Sequence, residues 1–370
     1  MPRPARYSVD DLLDAAAALL AADGPAAVTM SAVARVTGAP SGSMYHRFPT
    51  RAALCGELWM RTEERFHAGF TTAVSGSDDP QARCVAGARH TVQWCRDHPD
   101  EAQVLLAAGD IAECPTSGDE ATARILDRYP DATIATLGDN AYPDGTESNF
   151  EQCYAPSWGK FKDRTRPATG NHEFGTKDAG GYFDYFGEAA GEFDKYYYSY
   201  TLGAWHIVVL NSDCWRIDGC EVDDPQIEWL RRDLGRHPAL CTLGYWHRPP
   251  FSSGRYGDPE DTQRVRPLWR AAYEEGLDVV LTAHEHSYER FAPMNADGER
   301  DDERGVRLFV AGTGGGNLRG FKYDPLPTTE VRSHDAWGVL KLTLKPMGYD
   351  WEFLPVEGKS FTDSGSGVCH

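Results

Sequence analysis

VLLAAGDIAEC, residues 104–114, is compatible with two secondary structures that lead to different proteins. Read with the residues before it, it ends an amphipathic helix, WCRDHPDEAQVLLA; read forwards, it is a short apolar strand that ends at Asp110. As an inner strand of a sheet it buries several large apolar side chains, each worth about 1.5–3 kcal/mol. The sequence therefore predicts a strand here, and a preceding helix that ends near Pro99 or Glu101.

The same pattern, a short apolar run followed by a polar turn, recurs along the rest of the chain. The runs and their turn residues are ATIATLGDNAY with Asp139 and Tyr142, RPATGNHE with Asn171 and His172, CTLGYWHRP with His247, and DVVLTAHEHSYER with His284 and His286. Polar residues at the carboxyl ends of neighbouring strands gather over one rim of a sheet. We therefore expect these side chains and Asp110 to form one site.

Each of these turns is ambiguous alone, and only the set is informative. An Asp after Gly is common in turns, GNHE can be a loop, and HEH on a strand places both imidazoles on one face, as a surface pair would also do. Together, carboxylates and imidazoles suit zinc, manganese or iron, and a bridging carboxylate can hold two ions. The chemistry that such a pair serves best is hydrolysis of a phosphate ester.

Length and charge limit the remaining possibilities. The 370 residues suggest two or three domains, and no apolar run approaches the roughly 18 residues of a bilayer span, so we expect no membrane association. Through residue 107 there are ten arginines, no lysine and twelve acids; the remainder has 27 basic and 44 acidic side chains. The acidic part repels nucleic acid and favours cations. No export signal is visible, which predicts a cytoplasmic protein.

The cysteines of the acidic part leave that compartment open. They are Cys114, Cys153, Cys214, Cys220, Cys241 and Cys369, and none has the C-x-x-C spacing of a zinc site. An even set of six can form three bridges or remain as buried thiols, and a Cys214–Cys220 bridge is an even choice. Bridges would favour an extracytoplasmic origin.

The first sixty residues have the outline of a helix-turn-helix. VDDLLDAAAALLAADG predicts an amphipathic helix that stops at Gly24. Thr29 or Ser31 can cap a second helix that ends near Thr37, GAPS is a tight turn, and residues 42–48 begin a third, short helix. A small helical bundle without a role in DNA binding is the alternative.

This segment resembles the N-terminal domain of tetracycline-repressor-type regulators, most strongly over residues 7–60. The resemblance implies that the third helix enters the major groove of DNA and carries Ser41, Ser43, Tyr45 and His46, with Arg47 and Arg51 near phosphates. The further helices that complete the effector pocket and the dimer interface of that family have no counterpart before Asp110. We expect a helical domain at 1–103 with a truncated ligand-binding region, and DNA contact, if any, through residues 29–51.

Residues 104–370 resemble the calcineurin-like metallophosphoesterases, and within them the purple-acid-phosphatase-like branch. The family pattern is D-x-H, G-D-x-x-D, G-N-H-D/E, a lone His, and G-H-x-H. Here GDIA has Ala112 in place of the first His and GDNAY has Tyr142, two departures that occur together in that branch; Ala283 replaces the last Gly. The resemblance implies an α/β (α+β) metallophosphoesterase β-sandwich flanked by helices, preceded by a small all-α helix-turn-helix domain.

The resemblance also implies a ligand set. A first metal would take Asp110, Asp139, Tyr142 and His286, and a second Asp139, Asn171, His247 and His284. A tyrosinate ligand favours Fe(III), paired with Zn, Mn or Fe(II). His172 would face the phosphate and stabilise charge or protonate the leaving group, or else orient Glu173. Arg255 and Tyr256 stand where the branch often has a His pair, and either could contact substrate.

The expected function is binuclear-metal-dependent hydrolysis of small phosphate esters, phosphomonoesters first, by a metal-bound hydroxide. Phosphodiesters and pyrophosphates are alternative substrates, and a DNA-binding regulator with a phosphatase-like sensor domain is the alternative function. Other segments predict structure: YYYSYTLGAWHIVVLNSD a hairpin, PQIEWLRRDLGRHP a helix, VAGTGGGNLRGF a loop at the site rim rather than a nucleotide cradle, and the tail late strands with Cys369 tethered to Cys241.

Overall fold

The computed structural model describes residues 7–23, 27–77, 79–97, 103–217, 219–221 and 223–370. The first part is helical: α1 (Val9–Asp23), α2 (Met30–Thr37), α3 (Ser41–Arg47), α4 (Arg51–Val74) and α5 (Pro80–Asp97). The Thr29 hydroxyl accepts a hydrogen bond from the Ala32 amide at 3.1 Å, so Thr29 is the cap of α2. The predicted helix-turn-helix is confirmed.

The remaining chain is built from strands with helices between them. The strands are β1 (Gln103–Ala108), β2 (Thr133–Leu137), β3 (Thr165–Ala168), β4 (Tyr198–Leu202), β5 (Trp205–Val209), β6 (Cys241–Tyr245), β7 (Val279–Thr282), β8 (Tyr288–Phe291), β9 (Arg307–Ala311), β10 (Thr329–Ser333), β11 (Gly338–Lys345), β12 (Gly348–Pro355) and β13 (Ser364–Val368). The helices are α6 (Gly118–Leu126), α7 (Glu147–Asn149), α8 (Gly180–Phe186), α9 (Pro225–Arg236), α10 (Pro259–Gln263) and α11 (Arg266–Glu274).

These strands form two sheets that pack face to face. One has the order β13-β12-β11-β1-β2-β3 and the other β10-β8-β9-β7-β6-β5-β4. β1, β2 and β3 are parallel to one another, as are β5, β6, β7 and β9. One apolar core lies between the sheets and one on each outer face, where helices pack. The predicted β-sandwich flanked by helices, with an all-α region before it, is confirmed.

Residues 104–108 form a strand, as predicted, and Asp110 lies in the turn that follows it. β1 is an inner strand, antiparallel to β11 and parallel to β2. Its side chains alternate between cores, because Leu105 lies between the sheets and Leu106 lies under the outer helices, and both are fully buried. The predicted end of the preceding helix, near Pro99 or Glu101, lies outside the described residues.

Three disulfides staple the two-sheet part. The bridges are Cys114–Cys153, Cys214–Cys220 and Cys241–Cys369, so the last one ties the C-terminal tail to the first residue of β6. The hairpin of β4 and β5, the helix α9 and the late strands β12 and β13 are also confirmed. Among the helices that the structure describes, none combines the length and apolarity that a bilayer crossing requires.

The two faces of β1 generate a stability prediction. Leu105→Ala and Leu106→Ala each leave a cavity in a different core, so each variant should lose about 2–5 kcal/mol of unfolding free energy. The measurement is urea unfolding of the full chain, monitored by tryptophan fluorescence. Val85→Ala is the control, because Val85 is 49% exposed. A Leu variant that unfolds at the same urea concentration as the control would contradict the inner-strand position of β1.

Candidate metal centre

Candidate ligands from both sheets meet at one rim, at the carboxyl ends of parallel strands. Asp110 follows β1, Asp139 and Tyr142 follow β2, Asn171 and His172 follow β3, His247 follows β6, and His284 and His286 follow β7. Parallel strands that point the same way bring the turns after them to the same edge of a sheet. The convergence that the sequence pattern predicts is therefore present in the fold.

Four of these side chains form one cluster of donor atoms. The Tyr142 hydroxyl lies 2.8 Å from Asp110 Oδ1, 3.3 Å from Asp139 Oδ2 and 3.1 Å from His286 Nε2. His286 Nε2 also lies 3.3 Å from Asp110 Oδ1. All four residues are buried. The structure thus brings together the complete donor set that the resemblance implies for a first metal.

A second cluster shares Asp139 with the first. His247 Nε2 lies 3.1 Å from Asp139 Oδ2 and 3.1 Å from His284 Nδ1, and the three residues offer ligand atoms that are all within 4.8 Å of one another. Asn171 lies in the turn after β3, and its Oδ1 is buried without a hydrogen-bond partner in the described part of the chain. Asp139 therefore occupies the position that a bridging carboxylate needs.

The backbone at three of the candidate ligands is strained. Asp110, Asp139 and His284 have φ values of 55°, 51° and 69°, in the left-handed region that side chains with a Cβ rarely adopt. Such residues cost about 1–3 kcal/mol each and cluster at functional sites. Gly138, at φ 85°, permits the close approach, because a Cβ there would lie 2.8 Å from His247 Cβ. This left-handed backbone conformation directs the three side chains towards the rim.

The HEH segment is not on a strand, contrary to the sequence interpretation. Residues 283–287 form a bend between β7 and β8, and the left-handed φ of His284 turns the two imidazoles apart. His284 points its Nδ1 at His247, whereas His286 points its Nε2 at Asp110. The two histidines therefore serve different clusters, which alternation along a strand would not have produced.

The buried carboxylate of Glu173 fixes the backbone of two turns that form the rim. Its carboxylate accepts hydrogen bonds from the backbone amides of Asp139 (2.9 Å), Asn140 (2.8 Å) and Gly170 (2.7 Å). The side chain is fully buried, and burial together with the charge of Asp139 raises the pKa of Glu173 to about 7. From the sequence, Glu173 was expected only as a residue that His172 could orient. The motif GNHE, which contains Glu173, was the sequence feature that could have indicated its role. Glu173 joins the turn after β2 to the turn after β3.

Electrostatics in the cluster favour a cation. Burial raises the pKa of Asp139, but His247, His172 and His284 together outweigh burial and hold that pKa well below its ordinary value. Burial would lower the pKa of His247, yet Asp139 raises it to about 9. Burial, Asp110 and Asp139 all raise the pKa of Tyr142 far above its ordinary value. The phenol becomes a tyrosinate only beside a strong positive charge.

The predicted substrate-contacting residues lie at the mouth of the rim, with one exception. The ring centroid of His172 is 4.5 Å from that of Tyr142, and His172 Nε2 lies 3.8 Å from Asp139 Oδ2, with the side chain 34% exposed. The Tyr256 ring stacks on His284 at 4.6 Å. The Arg255 side chain is exposed, and its described contact with the site is its backbone amide, which donates to Glu285 at 2.8 Å.

Arg248 is a rim residue that sequence analysis missed. Its guanidinium NH1 lies 2.9 Å from His284 Nε2, and its Nε lies 3.0 Å from Asp213 Oδ1. The position directly after the lone His247 was the only signal, and an arginine there is equally compatible with an exposed turn. The glycine-rich loop after β9 is at the rim, as predicted, because the Gly316 amide donates to the Asp110 carbonyl at 2.8 Å.

A second histidine cluster lies at the opposite end of the strands. His206 Nε2 is 2.6 Å from Asp233 Oδ2, and His237 Nδ1 is 3.1 Å from Asp233 Oδ1. His206 Nδ1 is buried without a partner among the described residues, so a metal on Nε2 would leave a buried N–H unpaired. We infer that this cluster is structural, because Asp233 joins α9 to His206 of β5.

The helix-turn-helix residues have mixed positions. Tyr45 and His46 are exposed on α3, whereas Arg47 donates hydrogen bonds to the Tyr7 carbonyl and the Ser43 hydroxyl, both at 2.7 Å. Arg51 Nε donates to the Val28 carbonyl at 2.8 Å. The side chain of Ser41 lies outside the described ones. The two arginines thus help to hold the helices together, and their predicted contact with phosphates stays a prediction.

Comparison with known proteins agrees with both parts of the chain. Residues 12–58 match the family model for bacterial regulatory proteins of the tetR family, and residues 88–288, more than half of the chain, match the model for calcineurin-like phosphoesterases. Purple acid phosphatase 18 of Arabidopsis thaliana is 30% identical over 159 residues, which are 41% of this chain and 34% of that protein. Purple acid phosphatase 15 of the same plant is 24% identical over 293 residues, 69% of this chain and 48% of that protein.

A solved structure shares the fold. Purple acid phosphatase PPD1 from yellow lupin (Lupinus luteus) seeds superposes with a TM-score of 0.54 at 20% identity, covering 72% of this chain and 54% of that one. The chain spans about a third to a half of the length of these curated relatives. With its rim of carboxylate, phenol and imidazole donors, the chain belongs to the calcineurin-like phosphoesterase family, and the purple acid phosphatases are among its relatives.

Proposed function

We propose that the chain is a binuclear-metal phosphoesterase that hydrolyses small phosphate esters, phosphomonoesters first. The observation that carries the proposal is the pair of donor clusters that share the Asp139 carboxylate. Two cations held on either side of one carboxylate are suited to in-line displacement at phosphorus. The helices before residue 104 would then form a separate regulator-like domain at 1–103, and residues 104–370 the catalytic domain.

The residues fit a pair of metal ions. Asp110 Oδ2 and Asn171 Oδ1 are buried with no partner in the described structure, which leaves two oxygens available as ligands at a cost that a cation would remove. The first ion would be held by Asp110, Asp139, Tyr142 and His286, and the second by Asp139, Asn171, His247 and His284. Carboxylate and phenol oxygens around the first position favour Fe(III), with Zn, Mn or Fe(II) at the second. When bound, the ions activate water and neutralise charge on the phosphoryl group.

His172 is the proposed acid at the mouth of the rim. Its backbone amide donates to Asp139 Oδ1 at 2.9 Å, which fixes the residue beside the shared carboxylate, while its ring is partly exposed. A histidine held there can stabilise the charge on the phosphoryl group or donate a proton to the leaving oxygen. The ring does not contact the buried carboxylate of Glu173 in any described hydrogen bond, which favours the role towards substrate.

Asp139→Asn should abolish turnover. The amide removes the shared negative charge from both clusters, so we expect an aryl phosphate to be hydrolysed at least about 100-fold more slowly and the metal content to fall, given the effect of weaker changes around metal ligands. The variant and the wild-type chain are both treated with a chelator and then reloaded with iron, zinc or manganese. The measurements on each are the rate of aryl phosphate hydrolysis and the metal content by elemental analysis. Asp184→Asn, an exposed carboxylate on α8, is the control.

The alternative function makes a different prediction for the same samples. A DNA-binding regulator would bind duplex DNA with a strong salt dependence, through α3 and the exposed Tyr45 and His46, while the rim binds phosphate without turnover. Wild-type chain that carries two metals and still fails to hydrolyse aryl phosphates would contradict our proposal and favour that alternative.

Tyr142→Phe tests the ferric assignment independently of activity. A phenolate bound to Fe(III) gives a visible charge-transfer absorption, and the variant lacks the oxygen that makes it, so the iron-loaded variant should lose the purple colour. The measurement is the visible spectrum at matched iron content, with Tyr129→Phe as the control. A band that survives in Tyr142→Phe would exclude Tyr142 as the chromophore ligand.

Substrate charge should set the order of rates. A monoester dianion is attracted to two cations more strongly than a diester monoanion, since Coulomb energy scales with the product of the charges. We expect kcat/KM for an aryl monoester to exceed that for the matching diester at least about tenfold, which corresponds to 1.4 kcal/mol. The comparison uses the same aryl leaving group in both esters. Equal or reversed rates would replace the monoester assignment with a diester one.

A further inference from the structure

Arg248 has its guanidinium held at the rim by three different contacts. Its Nε donates to Asp213 Oδ1 at 3.0 Å, its NH1 lies 2.9 Å from His284 Nε2, and its carbon Cζ lies 5.1 Å from the ring centroid of Trp215. The side chain is only 14% exposed. A guanidinium fixed by an ion pair and an aromatic face has lost most of its rotamer freedom, so it can bind a further anion at a low entropic cost.

Asp213 supplies the support for this arginine. Its side chain is 2% exposed, and burial raises its pKa although the charge of Arg248 opposes that effect. The Asp213 amide donates to Asn211 Oδ1 at 2.8 Å, and the Arg248 amide donates to Ser212 Oγ at 2.9 Å. The turn after β5 and the turn after β6 are therefore locked together, with the arginine pointing towards the candidate metal ligands.

The guanidinium of Arg248 lies beside the candidate second-metal ligands. Its NH1 is 2.9 Å from His284 Nε2, and His284, Asp139 and His247 offer ligand atoms within 4.8 Å of one another. A guanidinium in this place can donate to a phosphoryl oxygen, and a hydrogen bond between two charged groups is stronger than one to a neutral acceptor.

We propose that Arg248 binds a non-bridging phosphoryl oxygen of the substrate and that Asp213 is its positioning residue. This inference rests on the proposed phosphoesterase function. In a chain of formal net charge −19, whose rim includes the buried carboxylates of Asp110 and Asp139, a fixed cation offsets the repulsion that a phosphate dianion meets on entry. Arg255, by contrast, has an exposed side chain.

The test uses the metal-loaded full chain with an aryl phosphate as substrate and inorganic phosphate as inhibitor. Arg248→Ala should raise both KM and the inhibition constant of phosphate about 10- to 100-fold, the factor expected for loss of a hydrogen bond to a charged group. Calorimetric titration with inorganic phosphate gives the same binding constant without turnover. Arg270→Ala, on α11 and paired with Asp297 at the surface, is the matched control and should change neither constant.

Rescue separates a substrate contact from a structural one. Free guanidinium ion at millimolar concentration should restore part of the activity of Arg248→Ala, and Arg248→Lys should keep part of the phosphate affinity, because both return a cation to the same place. Asp213→Asn should raise KM by a smaller factor with unchanged metal content. A metal content that falls in Arg248→Ala would overturn the inference, since the residue would then support the metal site rather than the substrate.

Two failures remain distinguishable. A metal-loaded wild-type chain that does not hydrolyse any aryl phosphate refutes the proposed function itself. Wild-type turnover together with an unchanged KM and an unchanged phosphate inhibition constant in Arg248→Ala and Arg248→Lys leaves that function intact and refutes the role of Arg248.

Discussion

The contact of one buried carboxylate, Asp139, with groups from both sheets is the constraint on which the site depends. Tyr142 approaches it from the same turn, and His247 approaches it from the facing sheet. Asp139 is held in a left-handed backbone conformation whose amide is bonded to Glu173, so its position does not depend on its own side-chain contacts alone. A fold that holds Asp139 in this strained conformation keeps its carboxylate oriented towards both donor clusters.

The hydrogen bonds of the rim leave one buried carboxylate oxygen without a partner. Tyr142 bonds to Asp110 Oδ1 and lies beside His286, yet Asp110 Oδ2 is fully buried and has no hydrogen-bond partner among the described residues. Proteins leave few such atoms, because each costs about 1–3 kcal/mol. The turn after β1 contains one such oxygen, on Asp110, and the turn after β3 contains another, on Asn171. These two residues belong to different donor sets among those that the family resemblance implies. Under the proposed function, each of these two side-chain oxygens would gain a partner when a cation binds.

The architecture could be predicted from the sequence because each apolar run indicates a buried strand, and the polar residue that follows the run indicates a side chain at the rim of the sheet. Leu105 lies in one core and Leu106 in another, so β1 is buried on both faces. The uninterrupted apolar run VLLAA predicts such burial, because a strand with one exposed face would alternate apolar and polar residues. The HEH bend was mispredicted, because two histidines at i and i+2 fit a strand and the left-handed φ of His284 has no signature in the letters. Arg248 was missed for a related reason: its role depends on Asp213, a contact across 35 residues that no local pattern encodes.

The attachment of the helical part also has a physical reading. Leu20 of α1 packs against the core between the sheets, and Leu240, the residue before β6, packs against the core of the first helices. Leu240 precedes the strand whose carboxyl end leads to His247, so this contact lies at the end of the sheet opposite the rim. Within the described residues, this contact between the helical part and the sandwich is therefore remote from the candidate site.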